Sequence, residues 1–302
     1  MYYFQIKYGI AGANIDITDK CYNLSHNDII KIQFGDIERA CLFGDPISNV
    51  VKQIFISDEY GETYIFNDAT EIEINLKTNT VSYITSSYKR TAKKLEAIHN
   101  QLQLAMGNML DEYPEQIMAT KYLTGYEKVL EIGGNIGRNT LVIAHILKQK
   151  NNNNLVSLES SKNISKQLEH NRDINGFDFY IENSALSKRK LIQNGWNTIP
   201  SDIVLEGYEL INTITFEDLI NKYNITFNTL VLDCEGAFYF ILQDMPEILN
   251  DINMIIMEND YLDISHKQYI DNILMEHGFY RDFVMSGGWG PCYLNFYEVW
   301  KK

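Results

Sequence analysis

A glycine-rich turn behind an acidic side chain is the feature of this sequence best suited to chemistry. Glu131 closes an apolar run, and the turn that follows it contains Gly133, Asn135 and Gly137 before a helical pattern begins with Asn139 and Thr140. A strand, a glycine turn and a helix in this order form a binding crevice at the carboxyl end of a parallel strand. Because glycines let the backbone approach a ligand closely, we predict a ligand site at 131–137.

The spacing of the glycines argues against a dinucleotide or a nucleotide phosphate as the ligand. A G-x-G-x-x-G fingerprint counted from Gly133 would need glycines where Asn135 and Arg138 stand. A G-x-x-x-x-G-K-S/T phosphate loop is absent from the sequence as well. The pattern present, acid-x-Gly-x-x-x-Gly, resembles the first motif of S-adenosylmethionine-dependent methyltransferases, in which the turn backs the methionine part of the cofactor.

Four later apolar runs also end in polar residues. An acid at one such end is often only a helix cap or an ion-pair partner, but suitable residues at five consecutive ends seldom arise by chance. In an open α/β sheet the carboxyl ends of the strands line one crevice, so we expect these residues to meet the glycine turn. They are, in chain order, Glu159; Ser184 and Ala185; Asp233 and Glu235; and Glu258 and Asp260.

Over roughly residues 127–260 the chain resembles the FkbM family of S-adenosylmethionine-dependent methyltransferases, whose members methylate hydroxyls of sugars, polyketides and other small molecules. The most specific element is Asp-Cys-Glu-Gly-Ala at 233–237, and residues 1–86 lie outside the resemblance. The matching positions are 131–137, 158–159, 171 with 175, 185–187, 215–219, 233–237 and 256–258.

The resemblance implies S-adenosylmethionine as cofactor and a role for each strand end. Glu131, Gly133, Asn135 and Gly137 would surround its methionine end, and Glu159 would hold the ribose. Ser184 and Ala185 would flank the adenine ring.

The same resemblance implies that Asp233 and Glu235 are the catalytic residues and that they would face the methyl group. An alcohol acceptor needs a base as it attacks, and repulsion between two neighbouring carboxylates raises the pKa of one of them. The alternative is that one of the pair orients the cofactor amine or caps the helix predicted at 238–245.

The acceptor side is assigned to Glu258, Asp260, His266 and Trp289. With Asp233 and Glu235, the first two would suit a hard cation such as Mg²⁺, but the family motif requires no metal, so no metal site is assigned. For His266 there are two predictions: it reaches the mouth of the crevice, or it has only a structural role. For Trp289, which lies among glycines, the two predictions are that its ring stacks on a sugar or that it packs on the core.

The segment from Asn194 to Tyr208, which contains Trp196, is a candidate lid over the substrate.

These residues require a Rossmann-like, doubly wound α/β sheet of seven strands. Its last strand is predicted antiparallel, because the glycine-rich loop around Trp289 leaves no room for a helix. The domain prediction is a small antiparallel β domain at 1–86, a helical connector at 87–124 and a methyltransferase domain at 125–302. One helix is expected from 87 to about 113 and another at 115–123. The seven predicted strands lie at 128–132, 155–158, 179–181, 229–232, 253–257, 279–284 and 294–300.

Composition limits the classes of partner that this chain is expected to bind. The chain has 302 residues and a formal net charge of −14, which disfavours nucleic acid as a partner. Its four cysteines form no C-x-x-C pair, and neither a signal peptide nor a membrane span is recognised, so we expect reduced thiols, a cytoplasmic location and no membrane contact. A homo-oligomer is left open.

The leading hypothesis is an O-methyltransferase acting on a small-molecule hydroxyl, with a sugar or glycan preferred because of the family resemblance. One alternative is methylation of a protein or a nucleic acid. Another is a binding module, in which the N-terminal β domain binds a partner and the methyltransferase domain is only a scaffold. An NAD-dependent enzyme is disfavoured by the glycine spacing.

Overall fold

The computed structural model describes residues 2–85, 87–285 and 287–302. Ser86, the predicted end of the β domain, and Ser286, at the start of the predicted loop before Trp289, lie outside the described residues. The chain divides into two compact units, 1–93 and 94–302. The segment predicted as a connector, 87–124, is therefore shared between the two units.

The first unit consists of two antiparallel sheets and two short helices. Ile30, Ile32, Ile72 and Ile74, at alternate positions of their strands, all lie in its buried core. Strand order is β2-β1-β4-β5 in one sheet and β3-β6-β7 in the other. The elements are β1 (Gln5–Ile10), β2 (Ala13–Asp16), α1 (Thr18–Asn23), β3 (Ile29–Ile32), α2 (Asp36–Phe43), β4 (Gln53–Ser57), β5 (Thr63–Phe66), β6 (Thr70–Asn75) and β7 (Thr80–Thr85).

The two helices of this unit were not expected from the sequence. Gly35 and Gly44 flank α2 at its two ends, each with positive φ. A glycine that flanks a helix and a glycine that belongs to a turn look the same in the sequence. These two glycines therefore do not reveal the short helix between them.

The predicted helix from 87 to about 113 is wrong in its second half. Helix α3 (Ser87–His99) ends early, and a 3-10 helix at Met109–Glu112 then leads into α4 (Tyr113–Tyr122). The backbone N–H groups of Gln103 and Ala105 donate instead to the side chains of Asn175 and Asn171, at 2.8 and 2.9 Å. These distant side chains compete with helical hydrogen bonds, which local periodicity does not reveal.

The second unit is built on the predicted seven-stranded sheet, in the order β10-β9-β8-β16-β17-β19-β18. The first five strands of that order are parallel, and β19 runs antiparallel to both β17 and β18, as expected. This is the Rossmann-like arrangement of methyltransferases. The strands are β8 (Val129–Ile132), β9 (Leu155–Leu158), β10 (Tyr180–Glu182), β16 (Thr229–Leu232), β17 (Met254–Glu258), β18 (Tyr280–Met285) and β19 (Tyr297–Lys301).

Helices cover both faces of this sheet, because its central strands are apolar on both sides. Leu130 and Leu230 pack in one core with residues of α7, α8 and α9, while Glu131, on the other face, reaches Thr140 of α5. The helices are α5 (Arg138–Lys148), α6 (Lys162–Ile174), α7 (Phe216–Tyr223), α8 (Ala237–Asp244) and α9 (Ile264–Glu276).

An insert of short strands lies between β10 and β16. It forms a two-stranded parallel sheet and a three-stranded antiparallel sheet with the order β13-β12-β14. These strands are β11 (Ala185–Leu186), β12 (Leu191–Asn194), β13 (Asn197–Pro200), β14 (Glu209–Ile211) and β15 (Thr213–Ile214).

The connection from β18 to β19 contains a 3-10 helix, Gly290–Asn295, where only a loop was expected. A second 3-10 helix, Pro246–Leu249, follows α8. Among the described residues, no helix combines the length and the apolar character that a membrane crossing would require.

Candidate active site

The ends of β8 and β16 meet at the point where the strand order reverses, which is the usual ligand site of an open α/β sheet. The amide of Asp233 donates to the Ile132 carbonyl at 3.1 Å, and the amides of Gly133 and Gly134 both donate to Leu158. Gly133 has a φ of +95°, and a Cβ there would overlap the backbone carbonyl of Asp233. Only glycine therefore allows the two strand ends to come together.

A cavity of about 230 Å³ opens at this junction. Its wall brings together most of the strand-end residues that the sequence singled out, together with part of the insert. Seven of the predicted site residues lie on this wall: Gly133, Asn135, Glu159, Ser184, Ala185, Asp233 and Glu235.

Glu159 is the buried acid of the β9 end. Its carboxylate accepts hydrogen bonds from the backbone amides of Asn135, at 3.0 Å, and Ser161, at 2.8 Å. Burial raises the pKa of Glu159, and these two amides oppose that shift. Each carboxylate oxygen has a second lone pair, so Glu159 can still accept from ligand hydroxyls.

Glu131 and Gly137 are placed away from the cavity wall. Glu131 is 2% exposed, and its Oε2 accepts from the hydroxyls of Thr140 and Ser157, each at 2.6 Å. Burial raises the pKa of Glu131 to about 7, although these hydroxyls lower it. Gly137, in the left-handed conformation, precedes the first residue of α5. In this arrangement both residues support the turn from behind, and direct cofactor contact by them stays a prediction.

Asp233 and Glu235 follow β16 and both lie on the cavity wall. Glu235 is exposed and has a φ of +50°. Burial, and then the charge of Glu258, raises the pKa of Asp233 well above its ordinary value. A carboxyl group that readily takes up a proton suits a general base.

Glu258 ends β17 and Asp260 follows it, and both lie outside the cavity wall. Asp260 accepts from the amide of Gly236 at 2.7 Å through Oδ1, while its buried Oδ2 has no hydrogen-bond partner among the described residues. Burial and the charge of Glu235 raise the pKa of Asp260 to about 7. Burial raises the pKa of Glu258, and a side-chain hydrogen bond with Glu115 and the charge of Glu115 raise it further.

Two acids that the sequence analysis missed, Glu112 and Glu115, join the site from the segment before the glycine turn. Glu112 accepts from Arg138 at 2.8 Å, from the Asn139 amide at 3.2 Å and from the Asn135 side chain at 3.3 Å. Glu115, on α4, brings a carboxylate oxygen within 4.8 Å of Asp233 and Glu258. No local pattern signals them, because their role depends on how α4 packs against α5 and β17.

The pair Asn171 and Asn175, matched in the family resemblance, ties the segment before α4 to the turn. Asn171 donates to the Ile136 carbonyl at 2.8 Å and accepts from the amide of Ala105. Asn175 both donates to and accepts from Gln103. These amides hold the segment that leads to Glu112 and Glu115 against the glycine turn.

His266 and Trp289 are not brought to the cavity wall. The His266 ring stacks on Tyr239 with a centroid distance of 3.7 Å. Trp289 precedes the 3-10 helix of the last connection and is 46% exposed. Their assignment to the acceptor stays a prediction.

The insert forms one side of the cavity. Trp196, which is 56% exposed, lies on the wall with Thr198 and Pro200, in the segment considered as a lid. Next to them, Arg189 donates to Asp244 through two nitrogens, at 2.6 and 2.8 Å. The cavity thus combines an acidic strand-end side with an aromatic and apolar insert side.

Comparisons with known proteins find similar solved structures but no match to a family model or to a curated sequence. Similar solved structures include a ribosomal protein L11 methylase from Lactobacillus delbrueckii subsp. bulgaricus, at 13% identity and a TM-score of 0.39, covering 65% of this chain and 79% of that one.

Two further structures are similar to this chain. The O-methyltransferase from Bacillus cereus in complex with SAH has 13% identity and a TM-score of 0.37, covering 72% of this chain and 91% of its own. Methyltransferase FkbM from Methylobacillus flagellatus KT has 10% identity and a TM-score of 0.42, covering 70% and 59% respectively. Since these identities are far below 25%, the fold of this chain is defined by its own strand order.

Proposed function

We propose that this chain is an S-adenosylmethionine-dependent methyltransferase of the FkbM type, acting on a hydroxyl of a small molecule. The observation that carries the proposal is a single cavity whose wall contains Gly133 of the glycine turn, the acid Glu159 and the carboxylates of Asp233 and Glu235. These residues follow β8, β9 and β16, at the switch point of the sheet.

The charge of the site supports a cationic ligand. Asp233, Glu258 and Asp260 have raised pKa values because burial and neighbouring carboxylates disfavour their ionised forms. A positive charge nearby would favour ionisation again. S-adenosylmethionine supplies a methyl group on a positively charged sulfur and also carries an ammonium group, so its charge is complementary to this edge of the sheet.

The wall offers a partner for each part of that cofactor. The backbone at Gly133 and Asn135 would back the methionine end, where a side chain on Gly133 would collide with Asp233. Glu159 would accept the ribose hydroxyls through its remaining lone pairs. Ser184 and Ala185 would flank the adenine ring, on the wall next to β9.

The chemical step needs alignment and a proton acceptor. Methyl transfer is an in-line displacement, so holding the acceptor oxygen opposite the sulfur supplies much of the rate. Asp233 or Glu235 would take the proton of the attacking hydroxyl. The raised pKa of Asp233 favours it as the base.

A sugar or glycan is the proposed acceptor, chiefly because of the resemblance to the FkbM family. Trp196 adds a physical argument, since an exposed aromatic ring on the cavity wall can pack against the apolar face of a sugar. The net charge of −14 disfavours a nucleic acid acceptor.

The first test is binding of S-adenosylhomocysteine to the purified chain by calorimetry. Binding at one site per chain is expected, and no binding at about 1 mM would overturn the proposal. Labelled S-adenosylmethionine should then be incubated with a panel of nucleotide sugars. Incorporation of label into a sugar supports the acceptor class, while transfer only to protein or RNA would overturn it.

A further inference from the structure

Three carboxylates from separate parts of the chain converge beside the cavity. Glu115 lies on α4, Asp233 follows β16, and Glu258 ends β17, and one oxygen of each lies within 4.8 Å of the others. We propose that this group, called here the Glu115 cluster, binds a divalent cation of the class that prefers oxygen ligands, namely Mg²⁺, Mn²⁺ or Ca²⁺.

The state of Glu115 is the observation that distinguishes the cluster from an ordinary acidic patch. Glu115 is only 7% exposed, and its Oε2 is fully buried without a hydrogen-bond partner among the described residues. Buried carboxylates are normally paired with a base or coordinate a metal. Glu115 instead faces two further carboxylates.

Other buried acids of the second unit have donors as partners: Glu131 accepts from two hydroxyls, Glu159 accepts from two backbone amides, and two further acids pair with bases. Glu298, which is fully buried, pairs with Lys267 at 3.0 Å and with Arg281 at 2.8 Å. Glu112 pairs with Arg138 at 2.8 Å. None of the ion pairs found among the described residues involves a member of the Glu115 cluster.

The spacing of the oxygens fits an ion of this class. Ca²⁺–oxygen bonds are about 2.3–2.6 Å long, so oxygens on opposite sides of the ion are about 4.6–5.2 Å apart. The three cluster oxygens, with all separations within 4.8 Å, are close enough together to be ligands of one such ion.

The members of the Glu115 cluster differ in exposure. Asp233 and Glu258 are partly exposed, whereas Glu115 is buried. Tyr297 stands opposite Glu258 in the pairing of β19 with β17.

This ligand set differs from the one considered from the sequence. Glu235 and Asp260 belonged to that set and are not in the Glu115 cluster, whereas Glu115 takes a place that no motif marked. The inference goes beyond the proposed function and does not depend on it, since cation binding is measured without cofactor or acceptor.

The test is a Mn²⁺ titration of the full chain, without cofactor, followed by the electron paramagnetic resonance signal of free Mn²⁺. The wild type is expected to bind one ion per chain, and Glu115→Gln to bind it at least about tenfold more weakly. Glu276→Gln, which removes an exposed carboxylate at the end of α9, is the matched control and should bind like the wild type.

Thermal unfolding gives a second measurement and checks that each variant is folded. Mn²⁺ should raise the midpoint of the wild type and of Glu276→Gln, and leave that of Glu115→Gln nearly unchanged. No binding by the wild type up to about 1 mM, or equal binding by Glu115→Gln, would overturn the inference. If S-adenosylhomocysteine binds but Mn²⁺ does not, only the metal site fails, and the reverse result removes only the methyltransferase proposal.

Discussion

The backbone carbonyl of Asp233 occupies the space that a side chain on Gly133 would need. Gly133 has a φ of +95°, so two independent constraints, conformation and space, require glycine at this position. The contact joins the turn after β8 to the turn after β16, and the cavity wall includes both residues. Cofactor binding and catalysis are therefore proposed for two segments that depend on each other structurally.

Replacing Gly133 with alanine should lower the free energy of unfolding by about 3 kcal/mol, because overpacking adds to backbone strain. Urea denaturation measures this loss. Gly176→Ala is the control, since Gly176 also has a positive φ, of +61°, but open space around it. We expect a loss of about 1 kcal/mol there. Equal losses in the two variants would contradict a steric role for the Asp233 carbonyl.

Replacing Glu159 with alanine should weaken S-adenosylhomocysteine binding by about 100-fold, because charge-assisted hydrogen bonds to the ribose would be lost. Calorimetry measures the dissociation constant. Glu169→Ala, an exposed acid on α6, should bind like the wild type. Since Glu159 also holds the amides of Asn135 and Ser161, Glu159→Gln should be measured beside it. Unchanged affinity in folded variants would remove Glu159 from the cofactor site.

The buried carboxyl of Glu131 should make the stability of the chain depend on pH. The pKa of Glu131 in the folded chain is raised to about 7. Its contribution to the free energy of unfolding is therefore complete below about pH 4.5 and is lost as the pH rises through 7. Between pH 5 and 8 the free energy of unfolding should fall, with up to about 3 kcal/mol of the fall due to this group.

Glu131→Gln, which resembles the protonated acid, should show a smaller fall over the same pH range in urea denaturation. Asp233, Glu258 and Asp260 also have raised pKa values, so part of the slope should persist. Glu169→Gln, at an exposed position, should keep the wild-type slope. A variant at Glu131 with the full slope would show that this carboxyl is ionised in the folded chain.

The two exposed tryptophans provide a matched test of the cavity. Trp196 lies on its wall, whereas Trp289 does not, and their exposed fractions are similar at 56% and 46%. Trp196→Ala should raise the KM for the sugar acceptor about tenfold through lost aromatic contact, with little change in thermal stability. Trp289→Ala should leave the KM for the acceptor unchanged. The opposite ranking would move the acceptor site toward the last connection of the sheet.

Local patterns in the sequence predicted the seven strands of the main sheet and the residues that end them, and the family resemblance implied a ligand for the glycine turn. The helices α1 and α2 and the strands of the insert were not predicted. Glu159 and Asp233 could be placed at one crevice in advance, because side chains that follow parallel strands always emerge at the same edge of the sheet. That inference needs only local patterns and a general property of the fold.

Tertiary structure alone decided which of these residues line the cavity and which support it. Glu131 lies in a motif that predicted cofactor contact, yet Thr140 and Ser157 hold it behind the turn. Glu115 carried no signal in its own segment and gained its place because α4 packs against β17. Distances between side chains far apart in sequence depend on packing and on competing hydrogen bonds, and neither is visible in a local pattern.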